Sequence, residues 1–216
     1  VAGVTALDRA HTRARPRTPG NAAQLTPAQM LDSNIVFYEQ VARRDSTGGM
    51  ALGQLALFYM RRARATGDYQ DVLRSERAAR TSLRNRGGHN TRARQALAAS
   101  LLSEHRFADA LNIARDLAAR DESNPAFRAS VGEIEMELGK YDDARASFAS
   151  VAGNTSDLSV APLLARWYEL QGHPDSAYPL MNQSLLAIFD RPEVPAEQKA
   201  WYWLRISDLQ LRRGRI

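Results

Sequence analysis

An internal repeat of about 34 residues constrains the fold of this sequence more than any other feature. The segment 104–110 reads EHRFADA and the segment 138–144 reads LGKYDDA, so Phe107 aligns with Tyr141 and Ala110 with Ala144. Two further copies flank them: 66–69 reads TGDY, and 171–177 reads QGHPDSA. Units of this length are too small to bury an apolar face alone, and they fold by stacking on their neighbours.

The composition favours helices for these units. Hydrophobic residues make up 44% of the 216 residues, but aromatic residues only 7%. Ala and Leu are abundant, and the alternating pattern of β-branched residues that is typical of strands is missing. A chain of this length forms one domain or one solenoid. We therefore predict an all-α protein in which helices pack on one another in thin layers.

The first helix is predicted to begin after Thr26. This residue supplies a capping hydroxyl, Pro27 suits the first helical position, and Gln29 completes a capping box. The segment 1–25 before it is predicted to be a basic, Pro-containing arm without a helix. The helix then carries an amphipathic stripe of Ile35, Tyr38, Val41 and Ala42.

The residues around the repeated turns resemble the unit of the tetratricopeptide repeat (TPR) family. That unit has small residues where its two helices cross, a Gly-x-Tyr-x-x-Ala turn between them, and an aromatic residue on the second helix. The resemblance implies a right-handed α-solenoid, in which antiparallel helix pairs stack into a superhelix. The third unit matches best, through Val131, Gly132, Gly139, Tyr141, Ala144 and Phe148.

The resemblance also divides the chain and assigns packing roles. Tyr141 and Phe148 are expected to fill the space between neighbouring hairpins, and Gly139 and Gly172 to allow the turns. The divisions are a half-repeat at 33–46, repeats at about 53–86, 91–124, 125–157 and 158–190, and a terminal half-repeat at 196–216. The full set of expected packing residues is Gly67, Tyr69, Phe107, Ala110, Gly132, Gly139, Tyr141, Ala144, Phe148, Gly172 and Ala177.

The family's function implies a non-catalytic scaffold or adaptor that binds another protein. In such proteins the partner lies in a groove lined by exposed positions of each first helix. The mixed charge of these positions favours an extended peptide or a neighbouring helix, although they could equally be solvated charges. The positions are Arg61, Arg64, Arg92, Gln95, Glu133, Met136, Glu137, Arg166 and Asp208.

The two half-repeats suggest an alternative function, in which copies of the chain assemble head to tail into a filament or ring. Up to Arg120 there are 19 Arg and 10 acidic residues, a balance of +9, whereas the remainder has a balance of −4. The competing interpretation is that the last helix merely caps the solenoid, with its aromatic residues packed inward. The residues assigned to the two ends are Ile35, Tyr38, Val41, Trp201, Trp203, Leu204 and Leu211.

The sequence predicts no catalytic residue, metal site, cofactor or small-molecule substrate. Cysteine is absent, which excludes disulfides and thiolate chemistry. The carboxylates Glu133, Glu135 and Glu137 are interpreted as a solvated helix face, with a weak Ca²⁺ site as the alternative. The expected partners are therefore another protein or copies of this chain.

Nucleic acid is a less favoured partner, and a membrane span is not predicted. The basic arm and the arginines between Arg61 and Arg94 are positively charged, but no aromatic residues alternate with those of the arm for base stacking. No apolar run reaches the ~18–20 residues that a membrane span needs. The sequence begins Val-Ala-Gly rather than Met, which favours export to the periplasm or outside the cell after signal-peptide removal; a trimmed chain would begin in the same way.

Overall fold

The computed structural model describes residues 25–45, 47–88 and 90–215, and these residues form ten α-helices and no strand. The prediction of an all-α protein is therefore confirmed. The basic segment 1–25 lies outside the described residues except for Leu25. The helices are α1 (Pro27–Arg44), α2 (Met50–Thr66), α3 (Tyr69–Asn85), α4 (Thr91–Ser103), α5 (Phe107–Arg120), α6 (Pro125–Glu137), α7 (Tyr141–Ala149), α8 (Ala161–Leu170), α9 (Pro174–Ile188) and α10 (Ala196–Arg212).

The helices form hairpins that stack along the chain. Helices α2 and α3, α4 and α5, α6 and α7, and α8 and α9 pack as consecutive pairs. First helices of successive hairpins also meet, as α2 does with α4 and α6 with α8. Helix α1 packs on α2, and α10 packs on α9. The end helices are thus single helices attached to a stack of four complete hairpins.

The helix start and the turns follow the predicted local chemistry. The Thr26 hydroxyl accepts a hydrogen bond from the Gln29 amide at 3.2 Å, and the Gln29 side chain accepts one from the Thr26 amide at 2.9 Å. Gly139 and Gly172 have φ angles of 72° and 79°, in the left-handed region that glycine occupies at little cost. In the second unit His105 takes the same position with φ 57°. The repeat therefore preserves the turn conformation even where the glycine is replaced.

The third hairpin shows why a small residue is needed where the helices cross. A Cβ atom at Gly132 would lie 3.0 Å from the nearest atom of the Phe148 ring, closer than such contacts normally are. On its other side Phe148 stacks on Trp167 of α8, with ring centroids 5.5 Å apart. Burying a ring of this size contributes ~1.5–3 kcal/mol. Phe148 therefore packs against both its own hairpin and the next one.

The expectation that Tyr141 fills the space between hairpins is wrong. Tyr141 is 50% exposed, and its counterpart Tyr69 is 51% exposed. Each of these tyrosines is the first residue of a second helix, at the edge of the hairpin. Three residues further along the second helix, side chains point toward the partner helix. Ala144 and its counterpart Ala110 occupy this position and are fully buried.

The apolar core changes neighbours at α6. Phe127, Val131 and Ile134 belong to the cluster that α6 shares with α4 and α5. Ala129 and Met136 belong to the next cluster, which extends through α7, α8 and α9 to α10. Helix α6 therefore has one apolar face for the preceding hairpin and another for its own second helix and the next hairpin.

A buried ion pair connects the first three helices, and the sequence pattern did not predict it. Asp71 of α3 is fully buried and accepts hydrogen bonds from Arg62 at 2.6 Å and from Arg74 at 2.7 Å. Burial alone would raise the pKa of Asp71, but the hydrogen bonds from Arg62 and Arg74 hold it below its ordinary value. Arg62 also donates to Asp32 of α1 at 3.1 Å.

We predict that Gly132→Val lowers the free energy of unfolding by ~1–3 kcal/mol, because the added atoms meet the Phe148 ring. Gly153→Val is the matched control, since a Cβ at Gly153 has no neighbour within 4 Å. Urea denaturation followed by circular dichroism measures both variants. Phe148→Leu should then lower the free energy of unfolding by less in the Gly132→Val background than in the wild type. Equal losses for the two glycine variants would contradict this packing.

Candidate interaction surfaces

A charged groove lies along α6, α8 and α10, the first helices of the last two hairpins and the terminal helix. Its volume is about 520 Å³. Its wall combines charged groups with the exposed side chains of Tyr141 and Leu170 at the edge. The lining residues are Met136, Glu137, Tyr141, Arg166, Glu169, Leu170, Arg205 and Arg212.

Arg166 connects two carboxylates of α6 across the groove. It donates to Glu133 Oε1 at 3.0 Å and to Glu137 Oε1 at 2.8 Å. Burial raises the pKa of Glu133; the positive charge of Arg166 opposes this shift, and the negative charge of Glu137 adds to it. The net effect is a raised pKa, so Glu133 holds its proton to a higher pH than an ordinary glutamate.

A second group of charges joins α8 to α10. Glu169 accepts from Arg205 and lies 3.1 Å from the Nε atom of Arg212. Asp208 accepts from Arg212 at 3.2 Å and from Arg205 at 3.4 Å. The Nε atom of Arg205 is buried, and no hydrogen-bond acceptor for it is found within the described parts of the chain. This donor has no contact with solvent, so it is not part of the open surface of the groove.

The structure brings together only some of the groove residues that the sequence predicted. Glu137 and Arg166 line the charged groove, and Glu133 and Asp208 bind arginines of its wall. Met136 also lines it, although the residue is buried.

The predicted groove residues of α2 and α4 lie elsewhere. Arg92 and Gln95 line a separate depression of about 380 Å³, beside the exposed Met50. Arg61 is exposed on α2, with its guanidinium 6.0 Å from the centroid of the Phe58 ring. Arg64 is also exposed on α2, and its positive charge reaches Glu133, where it opposes the rise in the pKa of that residue. Beyond the charged groove, Arg92 and Gln95 thus line a second depression, and Arg64 lies within electrostatic reach of Glu133.

The sequence prediction missed five lining residues, and a signal for three of them was present. Glu169 follows Arg166 by three positions, Arg205 precedes Asp208 by three, and Arg212 follows Asp208 by four. Side chains at these spacings share a helix face. The spacing rule, applied to the predicted residues, would have found these three. The missed residues are Tyr141, Glu169, Leu170, Arg205 and Arg212.

Glu135 corrects the interpretation of the α6 carboxylates as a solvated face. Its side chain is buried and accepts hydrogen bonds from Ser147 Oγ and from Arg115, each at 2.8 Å. Glu135 therefore holds α6 against α7 and α5. Within residues 25–45, 47–88 and 90–215, no cluster of three His, Asp or Glu side chains could hold a metal ion.

The outer face of α1 differs from the prediction. Ile35 was assigned to this end, but it is buried against Leu55, Phe58 and Tyr59 of α2. The Tyr38 ring also packs on Phe58, with centroids 5.5 Å apart, and Val41 is half-buried. The stripe seen in the sequence is the inner face of α1, which explains the error. The large apolar side chains that α1 exposes are Met30, Val36 and Phe37.

The last helix is apolar on both sides. Its inner face consists of Tyr202, Ile206 and Leu209, which are buried in the core shared with α9. The interpretation that both tryptophans pack inward is wrong, since Trp201 is 40% and Trp203 is 51% exposed. The outer apolar side chains are Trp201, Trp203, Leu204 and Leu211. Across the described residues, no helix has the length and apolarity needed to cross a membrane.

We predict that Arg166→Met raises the pKa of Glu133 further, because the variant lacks the hydrogen bond and one of the positive charges that oppose the effect of burial. Arg145→Met, on the exposed side of α7, should leave the pKa of Glu133 unchanged. A raised pKa in the folded state contributes stability below the ordinary value of 4.5 and loses it as the pH rises through the folded value. NMR titration of the glutamate carboxyl carbon measures the shift, and an unchanged or lower pKa would contradict the assignment.

Scans against protein-family models and curated proteins gave no match. Solved structures similar to this chain include MamA MSR-1, with a TM-score of 0.52 and 20% identity over 73% of this chain and 86% of that chain. MamA AMB-1 has a TM-score of 0.53 and 19% identity, covering 73% of this chain and 89% of that chain. BtubC from P. vanneervenii has a TM-score of 0.54 and 14% identity, covering 88% of this chain and 83% of that chain.

These neighbours are all-helical solenoids of TPR type. Sequence identities of 20% or less establish a shared fold and nothing further. The chain therefore has the all-α fold that the resemblance implies, an α-solenoid of stacked antiparallel helix pairs.

Proposed function

We propose that this chain is a non-catalytic protein–protein interaction module, which holds an extended segment of another protein in the charged groove along α6, α8 and α10. The observation that supports this most is the open groove of about 520 Å³, which is lined by charges of both signs.

The charges of the groove suit exchange with a partner. Ion pairs at a surface contribute only about 0–1 kcal/mol, so replacing one by a pair with a bound peptide costs little. Glu137 and Arg212 are both exposed and both already paired. Such pairs govern the choice of partner and its direction more than the affinity.

The affinity would come from the apolar edge of the groove. Tyr141 and Leu170 line the groove, and both are about half exposed. Aromatic anchors of this kind contribute most to binding when a partner covers them. The best partner is therefore an extended peptide with alternating charges and at least one large apolar side chain.

We predict that peptides selected for binding to the wild-type chain from a displayed random library lose at least tenfold in affinity when Arg166 is replaced by Glu. The reversal would place three acidic groups together on one side of the groove, with Glu133 and Glu137. Titration calorimetry measures the affinity.

Arg145→Glu is the matched control, because Arg145 forms an exposed pair with Asp142 on α7 and does not line the groove. Both variants are checked for the wild-type helix content. Selected peptides that bind the wild type and Arg166→Glu equally well, or that are affected equally by Arg145→Glu, would contradict the groove as the binding site.

Self-assembly is the second candidate function, and one observation favours it. Helices α1 and α10, at opposite ends of the described stack, both expose several large apolar side chains. Exposed apolar patches of this kind mark interaction sites. A contact between two different ends is heterologous, so it would generate a filament or a closed ring.

A further inference from the structure

We propose that α10 of one copy and α1 of a second copy pair as the two halves of one antiparallel hairpin, equivalent to α6 and α7 within the chain. This inference rests on the second candidate function and assigns its interface. It follows from comparing each end helix with its counterpart in the complete third hairpin.

The inner faces of α10 and α6 correspond residue by residue, with one constant spacing along the sequence. Phe127, Val131 and Ile134 of α6 are buried against the preceding hairpin. Their counterparts in α10 are, in the same order, Tyr202, Ile206 and Leu209, which are all buried in the core shared with α9. Helix α10 therefore occupies the place of a first helix.

The outer face of α10 is not covered by a second helix within the described residues. In α6 the corresponding residues are Ala129, Gly132 and Met136, all buried, and two of them belong to the core with α7. With the spacing of the inner face kept, their counterparts are Leu204, Ser207 and Leu211, all exposed; Leu204 is 67% and Leu211 is 61% exposed. The exposed face of α10 is thus the face that a second helix covers elsewhere.

Helix α1 corresponds in the same way to the second helix α7, with Tyr38 in the place of Phe148. Phe148 packs on Trp167 of the next helix, and Tyr38 packs on Phe58 of α2, both with centroids 5.5 Å apart. The match fixes the position of α1 in the repeat.

The exposed face of α1 corresponds to the face of α7 that packs on the first helix of its hairpin. Ala144 and Ser147 of α7 are buried within their hairpin. Their counterparts in α1 are Asn34 and Phe37, which are both exposed, and Phe37 is 57% exposed. The two ends of the stack therefore expose complementary halves of one hairpin.

Three contacts inside complete hairpins give the register of the joint. They are the close approach of Gly132 to Phe148, the hydrogen bond between Glu135 and Ser147, and the ion pair between Arg94 and Asp116. Transferred by the same correspondence, they place Ser207 opposite Tyr38 of the second copy, Gln210 opposite its Phe37, and Trp203 opposite its Gln40. In these three pairs the residue number rises along α10 as it falls along α1, so all three contacts agree with one antiparallel arrangement.

The charges at the ends of the two helices fit this register. Asp32 lies toward the start of α1 and Arg212 at the end of α10. Both side chains are exposed, and each is also paired within its own chain, Asp32 with Arg62 and Arg212 with Glu169 and Asp208. The antiparallel arrangement brings these opposite charges to the same end of the joint. At the other end it brings Arg44, the last residue of α1, toward Glu197 in the first turn of α10. Charge complementarity therefore favours a second copy as the occupant.

The absence of native cysteine allows a direct test by crosslinking of single-cysteine variants. Asn34→Cys and Ser207→Cys are made in two copies with tags of different size, mixed, and treated with a short bis-maleimide. The two positions lie about one helical turn apart across the proposed joint. We expect a crosslinked dimer that contains one of each variant, at least tenfold more abundant than the dimer that either variant forms alone.

The control is Ser159→Cys, on the exposed loop before α8, which should crosslink with neither variant. Leu204→Glu and Leu211→Glu, added to the Ser207→Cys chain, should abolish the crosslink while the circular dichroism spectrum stays unchanged. Light scattering of the wild type is recorded in parallel. If the wild type forms oligomers but the mixed crosslink is absent, the proposed pairing is overturned and self-assembly is not. The same conclusion follows if either variant alone gives as much crosslinked dimer as the mixture. A monomer at every concentration would overturn self-assembly as well.

Discussion

This fold depends on one contact, in which a large aromatic ring packs against a small residue on one side and against a second ring on the other. Phe148 lies against Gly132 within its own hairpin and stacks on Trp167 of the next. Because the ring reaches both partners, the third hairpin does not complete its core alone. The same dependence makes stability a property of neighbouring units rather than of the chain as a whole.

Two kinds of surface result from this arrangement. Where first helices stand side by side, their outward charges form a groove, and Arg166 and Glu169 are among the residues that line it. At either end of the stack formed by the described residues, α1 and α10 each pack on one neighbouring helix, and each has a second face with exposed apolar side chains. Leu204 on α10 and Phe37 on α1 mark these faces. The groove suits an extended segment of another protein, and the end faces suit each other.

The sequence predicted the repeat, the turn glycines and the role of Phe148, because periodicity and residue size report directly on helix crossing. It assigned Ile35 to an exposed end because an amphipathic stripe identifies a buried face without identifying its neighbour. It failed at Tyr141 because the edge of a hairpin depends on where the second helix begins. The buried pairs of Asp71 and Glu135 could not be predicted, since they join residues from different helices through geometry that spacing does not encode.

Native-state hydrogen exchange of the wild-type chain at low concentration tests the central claim that each hairpin is stabilised by its neighbours. Amides of α4 and α6, whose hairpins have a neighbouring hairpin on both sides, should exchange most slowly. Amides of α1 and α10, each packed on one side only, should exchange markedly faster, with α2 and α9 in between. Equal protection of α6 and the two end helices would contradict the account.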